Sequence, residues 1–352
     1  MPSSSLSDAR ERVNRLDLRT VTPHVRFGTA SDRYAAWIGQ IYPEHYRDQI
    51  SSRSRKLGGQ RFEERNVPIA SVADYFEHFG TLELDFTFYR PLRDEDGEPT
   101  NNFFVLSKYA DHAPDNASFL LKAPQQYFAR TLRRSRGGKP TYIDNPDFLD
   151  AEAYLARFHE PAREILGDRI DGLLFQQEYQ RVGDSPSPEA NVDTLDAFFQ
   201  RLPDDPQPHV ELRSEHLLTE VYFDWLAERG LGFIFSHWTW LPPIRDQWAM
   251  CGERFTAADG NVVARLLTPR DVKYAEAYAN AYPFDKRAPE IADTRQARDM
   301  VLDATALVFQ AEAKNALLNL IANNRAWGNA PDLARTIAQR VLDEKERRND
   351  GR

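Results

Sequence analysis

The sequence predicts a single (β/α)8 TIM-type barrel with extended βα loops, and three observations carry that prediction. Eight short strand-like runs alternate with stretches of helical spacing, the pattern of a parallel sheet joined by crossover helices. The chain is 352 residues long, a length that α/β barrels commonly use as one unit. A Gly-rich phosphate fingerprint is missing after the first run, where Gly28-Thr29-Ala30-Ser31 lacks the required spacing. This counts against the runner-up, a doubly wound open sheet.

Residues 1–22 read as a polar arm, 23–343 as the barrel and 344–352 as a charged tail. His24 to Ser31 is the first strand, and its small last residues leave space above it. Arg47 to Arg65 is polar and basic with a Gly58-Gly59 pair, which predicts a long loop or mobile segment. Ser71 to Phe79 has an N-cap, apolar helical spacing and a Gly80 stop. Leu82 to Arg90 alternates apolar and polar residues as a strand does, which sends Glu83, Asp85 and Thr87 to the barrel interior and Leu84, Phe86 and Phe88 outward.

A helix is expected over Asn102 to Ala110 and strand three over Ser118 to Pro124. Arg130 to Lys139, with Arg130, Arg133, Arg134, Arg136 and Lys139 around Gly137-Gly138, is the densest basic segment and reads as a loop. Helical spacing runs from Phe148 to Ile165, interrupted near Pro161, and Gly172 to Tyr179 is strand four. The helix Val192 to Leu202 leads to strand five, His209 to Arg213, and the helix Glu215 to Arg229 to strand six, Gly232 to His237. Then come an aromatic loop with Trp238, Trp240 and Trp248, and strand seven, Asn261 to Leu267. Ala316 to Asn323 either continues the helix Ile291 to Lys314 or is strand eight, the reading adopted, and a last helix starts at Pro331.

With 41% hydrophobic and 28% charged residues, the composition is that of a globular chain. No apolar run reaches the roughly 20 residues that span a bilayer, and Met1 to Thr20 lacks the apolar centre of a signal peptide. A cytoplasmic protein with no membrane contact is the expectation. Cys251, the lone cysteine, excludes an intrachain disulfide and a multi-thiolate zinc site, and is expected to be a small buried hydrophobe. The net charge of −9 disfavours nonspecific attraction to nucleic acid over the whole surface. The histidines are scattered without a His-x-x-x-His pair, so neither a metal nor another cofactor is expected, although His237 with Glu211 and Asp85 is a conceivable set.

A resemblance rests on an ordered set of residues. Trp37, Gly39 and Tyr42-Pro43, Glu83 with Thr87-Phe88-Tyr89-Arg90, and Lys122-Ala123-Pro124 come first. Leu174-Phe175-Gln176, Glu211-Leu212-Arg213, and Asn323-Asn324 with Gly328, Ala330 and Pro331 follow. Together they resemble the YecE-like family, a domain of unknown function with a TIM-type barrel, over residues 24 to 342. The resemblance implies the fold and no established reaction. The chain departs from the family with His237 where an Asp is usual after strand six, and with Leu266-Leu267-Thr268 after Arg265 in place of Phe-His-Gly. The segments 47–65 and 93–114 are longer than usual.

Ligand residues of a barrel come from the C-terminal strand ends. The matched residues there are Trp37, Glu83, Tyr89, Lys122, Gln176, Glu211, Arg213, Arg265, Asn323 and Asn324. The bland expectation is that Glu83 pairs with Arg213 or Arg265, and Glu211 with Lys122, as buried ion pairs. The functional one is a hydrolase- or lyase-type enzyme for a small phosphorylated, otherwise anionic or sugar-like substrate. In it, Glu211 or Glu83 is the acid/base, Arg213, Arg265 and Lys122 clamp the anion, and Tyr89, Gln176, Asn323, Asn324 and Trp37 contact the substrate. Glu83 lies early in its strand, which favours Glu211 as the catalytic carboxylate. The alternatives are a nucleic-acid binder using Arg130, Arg133, Arg134, Arg136, Lys139 and the tryptophan loop, and a purely structural or regulatory barrel.

Overall fold

A computed structural model describes residues 6–136 and 139–350, and their side chains apart from those of 133–136, 139 and 140. Eight parallel strands close into a barrel: β1 (Val25–Ala30), β2 (Thr81–Leu84), β3 (Phe119–Lys122), β4 (Ile170–Gln176), β5 (Pro208–Glu211), β6 (Gly232–His237), β7 (Asn261–Leu266) and β8 (Leu317–Ala322). Each pairs with its neighbour in sequence, and β1 with β8 closes the ring, with Thr29 opposite Ala322. Leu317–Ala322 is therefore strand eight rather than a helical continuation.

The period of two along each strand sorts side chains into two cores. Outward residues such as Phe27, Leu82, Phe119, Phe175, Phe235 and Leu320 pack under the surrounding helices. Inward, Ala30, Leu120, Leu174, Ile234, Val263 and Ile321 form a small apolar layer. Below it lies a polar layer in which Arg26 Nη1 meets Asp171 Oδ2 at 2.7 Å and Asn319 bonds Asp171 and Asn261. Above it, at the C-terminal ends, lies a second polar layer that includes Glu83, Gln176, Glu211 and Arg265. Three stacked interior layers are usual in barrels of this type, and here only the middle one is apolar.

Helix α1 (Leu6–Asn14) lies against the last helix, α2 (Ala330–Asp350), where Arg10 bridges Asp343 and Glu346 at 2.8 Å. Residues 6–14 and 344–350 are thus helical. Cys251 is buried, and burial pushes its thiol up to about 11.

Three expectations change. Arg47 to Arg65 contains an antiparallel hairpin, Ser51–Leu57 with Gln60–Asn66, not a loop. Gly58 and Gly59 have φ of 57° and 85°, the positive values that a two-residue hairpin turn needs. Both faces of this hairpin are largely exposed, so its residues carry no apolar alternation. Arg130 to Lys139 falls likewise in a hairpin, Thr131–Arg136 with Lys139–Asp144. Gly137-Gly138 and the side chains of Arg133, Arg134, Arg136 and Lys139 lie outside the described residues. The strand expected over Leu82 to Arg90 ends at Leu84, and Phe86–Tyr89 is a 3-10 turn. The pairing explains this: β1 stops opposite Glu83 and the β3 ladder stops opposite Leu84, so Asp85 has no partner strand on either side.

Candidate active site

The upper polar layer is organised by Arg265. Its Nε and Nη2 donate to the two oxygens of Glu83 at 2.8 and 2.7 Å, and its Nη1 donates to Glu211 Oε2 at 2.6 Å. Gln176 Oε1 lies 3.5 Å from the same nitrogen. Arg213 Nη2 is 3.4 Å from Glu211 Oε2, and Ser236 Oγ donates to Glu211 Oε1. Register accounts for the meeting: Gln176 sits opposite Glu211, and Ser236 opposite Arg265, at the same height of the barrel. Glu83 and Glu211 are fully buried and Arg265 is 3% exposed. The expected Glu83–Arg265 pair forms, whereas Glu211 pairs with Arg265 and Arg213 rather than with Lys122.

Titration follows from these contacts. Burial alone would raise the Glu211 carboxyl, but Arg213, Arg265 and the Ser236 hydroxyl hold it down at about 2. It is a locked anion at neutral pH. Burial pulls the Arg213 guanidinium down to about 10, with Glu211 opposing. Lys122 is the reverse case to Glu211: burial, then the nearby Arg265 charge, lowers its ammonium to about 7. Its Nζ sits 3.9 Å from the centre of the Phe88 ring and makes no hydrogen bond or ion pair among the described residues. Arg213 lies 4.1 Å from the Trp238 ring centre, and its Nε has no partner.

A cavity of about 980 Å³ opens beside this layer, over the ends of β1, β2 and β8. The hairpin after β1 and the helix Tyr274–Ala281 after β7 wall it in, joined by Arg55 Nη2 donating to the Tyr274 hydroxyl at 3.1 Å and by Phe62 against Tyr278. Tyr34, Tyr89, Tyr274, Tyr278, Tyr282 and Phe284 supply aromatic surface, and Asp32, Asp85, Asn323, Asn324 and Arg325 supply polar groups. Asp85 and Arg325 also border the buried layer, since Asp85 bears on Lys122 and Arg265, and Arg325 on Arg213. A smaller cavity of about 400 Å³ lies at the opposite, N-terminal face, beside Arg26 and Asp171.

The residues expected at the site therefore divide. Glu83, Lys122, Gln176, Glu211, Arg213 and Arg265 form the buried layer, while Tyr89, Asn323 and Asn324 line the cavity. Asn324 Oδ1 accepts from Ala330 N at 2.7 Å and so caps α2 as well. Trp37 is fully buried against Tyr34 and Tyr42, away from both. Arg130 donates to Asn191 Oδ1 at 2.9 Å. Of the three tryptophans after β6, Trp248 packs on Phe235 and Phe255, Trp238 on Arg213, and only Trp240 is exposed, beside Tyr179. His237 is buried, and burial with the Arg270 charge pushes it down to about 3. Among the described residues no three His, Cys, Asp or Glu side chains are grouped to hold a metal ion.

Sequence reasoning marks Tyr89 but not Asp32, Ser236, Tyr34, Tyr274, Tyr278 or Tyr282. Tyr274, Tyr278 and Tyr282 recur every four residues, the spacing of one helix face, and that is a legible signal. Asp32 offers none, being a single acid after a strand of small residues.

The family described as a protein of unknown function, DUF72, matches residues 26–351. The chain is similar to a solved DUF72 family protein from Thermotoga maritima, with 16% identity, a TM-score of 0.52, and coverage of 91% of this chain and 99% of that one. It is similar also to a DUF72 family protein from Enterococcus faecalis, with 15% identity, a TM-score of 0.51, and coverage of 91% and 95%. At these identities the likeness bears on the fold alone. No protein of curated function matches the chain.

Proposed function

The chain belongs to the DUF72 family, and from that premise we propose that the C-terminal mouth of its barrel is a hydrolase-type site for a small anionic or polyhydroxylated substrate. The observation that carries this reading is a charge imbalance. Lys122, Arg213 and Arg265 face Glu83 and Glu211 in the buried layer, which leaves a single positive charge over within that layer. Buried charges are ordinarily paired, because an unpaired one costs several kcal/mol. Lys122 is the unpaired one, and an anionic ligand is its natural partner.

Glu83 and Glu211 act in this reading as the counter-ions that aim Arg265, since a carboxylate held at about 2 is a weak base near neutrality. Lys122, lowered to about 7, is the group that exchanges a proton in that range. Arg213, over the Trp238 ring with an unpartnered Nε, carries the fork that suits phosphate or carboxylate. The neighbouring cavity, lined by Asp85 and Arg325 but not by Lys122 or Arg213 themselves, is within the size range of small-ligand sites. A cytoplasmic location belongs to the same reading; among the described residues no helix is long and apolar enough to cross a membrane.

The test is calorimetric titration with inorganic phosphate and with glucose 6-phosphate. Binding to the unaltered protein is expected, weakened roughly 10- to 100-fold in Lys122→Met and Arg213→Gln, the loss of one charge-assisted contact. Equal affinity in all three proteins, or no heat with either anion at millimolar concentration, overturns it.

A further inference from the structure

The cavity holds a carboxyl group that the charge imbalance does not use. Asp32 follows β1 and is 2% exposed. Tyr109 donates its hydroxyl to Oδ1 at 2.7 Å, while Tyr42 donates to the Asp32 carbonyl at 2.9 Å. Its second oxygen, Oδ2, is buried without any partner, and Asp32 lines the cavity. Buried polar atoms are nearly always satisfied, so a lone carboxyl oxygen at a cavity wall is a place for a ligand group. The residue between strand and acid, Ser31, adopts a φ of 73°, which is uncommon outside glycine and recurs at functional sites. Its hydroxyl donates to Asp85 Oδ1 at 2.9 Å, which ties the second carboxylate of the cavity to the same turn.

The two carboxyls have unlike surroundings. Asp32 is pushed up to about 6, mainly by burial and further by the Asp85 charge; the Tyr109 hydroxyl and Arg33 oppose this. Asp85 is half-buried and hydrogen-bonded. One acid that still holds its proton up to about pH 6 beside another in a more polar setting is the division that glycoside hydrolysis requires. The walls agree with such a substrate, because Tyr34, Tyr89, Tyr274 and Tyr278 offer ring faces and hydroxyls to the CH and OH surfaces of a sugar.

We propose that Asp32 is the proton donor, and Asp85 its basic partner, of a glycoside-hydrolysing site in the tyrosine-walled cavity. This deepens the hydrolase reading above and rests on it only for the reaction class, not for the Lys122 and Arg213 anion contacts. Asp32 gives its proton to the bridging oxygen as the glycosidic C–O bond breaks, and the sugar-free alcohol leaves. Water forms the new C–O bond at the anomeric carbon and loses a proton to Asp85. Glycoside and water become sugar and alcohol, and proton exchange through solvent restores Asp32.

The experiment compares hydrolysis of benzyl and 4-nitrophenyl glycosides, as hexosides, 6-phosphohexosides and hexuronides, by the unaltered protein, Asp32→Asn and Asp85→Asn. Asp32→Asn keeps an acceptor for Tyr109 and cannot transfer the proton. It is expected to lose at least 100-fold in kcat on the benzyl glycoside, as a lost general acid does, and much less on the nitrophenyl one, whose leaving group needs no proton. KM should change little, and the fall in rate above about pH 6 should vanish. Asp85→Asn should lose activity on both substrates. Hydrolysis of none of the panel by the unaltered protein overturns the proposal, as does an equal loss on both leaving groups, which a merely structural Asp32 would give. Phosphate binding at Lys122 and Arg213 would survive either failure.

Discussion

Arg265 offers the sharpest test of how the barrel interior is held. Replacing it with methionine keeps the length of the side chain and removes the only hydrogen-bond partner of the Glu83 carboxylate among the described residues. It also removes the 2.6 Å contact to Glu211, which keeps Arg213 and Ser236. Breaking a buried pair from one side costs about 3–5 kcal/mol, a large part of the 5–15 kcal/mol that domains commonly possess. The pH dependence gives a second, signed readout. In the unaltered protein Glu211 is held at about 2, against roughly 4.3 for a free glutamate. That difference contributes stability in full above pH ~4.3, of the order of 3 kcal/mol, which fades as the pH falls towards 2. In Arg265→Met one of the two guanidinium groups that hold Glu211 down is gone, so this acid-sensitive contribution shrinks. Guanidinium unfolding between pH 2 and 8 measures both effects. The double variant with Glu83→Gln, which removes the carboxylate left without a partner while Glu211 keeps Arg213 and Ser236, is expected to recover much of the loss. A loss below about 1 kcal/mol in the single variant, or an acid-side fall as deep as the unaltered protein's, refutes the account.

Lys122→Met should move stability and binding in opposite directions. Relieving a buried ammonium lowered to about 7, roughly 3 units below an ordinary lysine, should raise the melting temperature, with about 4 kcal/mol at pH 7 as an upper limit; an unchanged or lowered melting temperature would count against an unpaired charge. Gly232→Ala should destabilise by about 1–3 kcal/mol through overpacking, because a Cβ there would stand 2.0 Å from His209 Nδ1. His209→Ala in the same chain should restore most of that loss, and denaturant midpoints of the four proteins decide it. Burial holds His209 at about 4 and His237 at about 3. Both lie below the free value of roughly 6.5, so their contribution is complete above that pH and declines as acid charges the unfolded chain first. His209→Leu is accordingly expected to show a shallower loss of melting temperature between pH 6.5 and 4.

The sequence by itself determined the barrel and much of its interior. Alternation is a local property of each strand, so Glu211 and Arg265 were legible as inward groups at strand ends, and the eight runs implied closure. The reading stopped where structure ceases to be local. The Leu82 to Arg90 alternation continues past Leu84, but a strand lasts only as long as its neighbours, and those end there. The hairpin at Ser51–Asn66 shows no apolar alternation because it packs on the helix Tyr274–Ala281, through Phe62, rather than on the main core. Only the tertiary structure decided that Glu83 meets Arg265 across 182 positions, which left Lys122 unpaired. It alone brought the segment after β1 against the tyrosines after β7, because ring closure sets β8, and with it β7, beside β1. Asp32 acquired its cavity from that meeting: the chain supplies the acid, but burial and an empty hydrogen-bonding position belong to the space between distant elements.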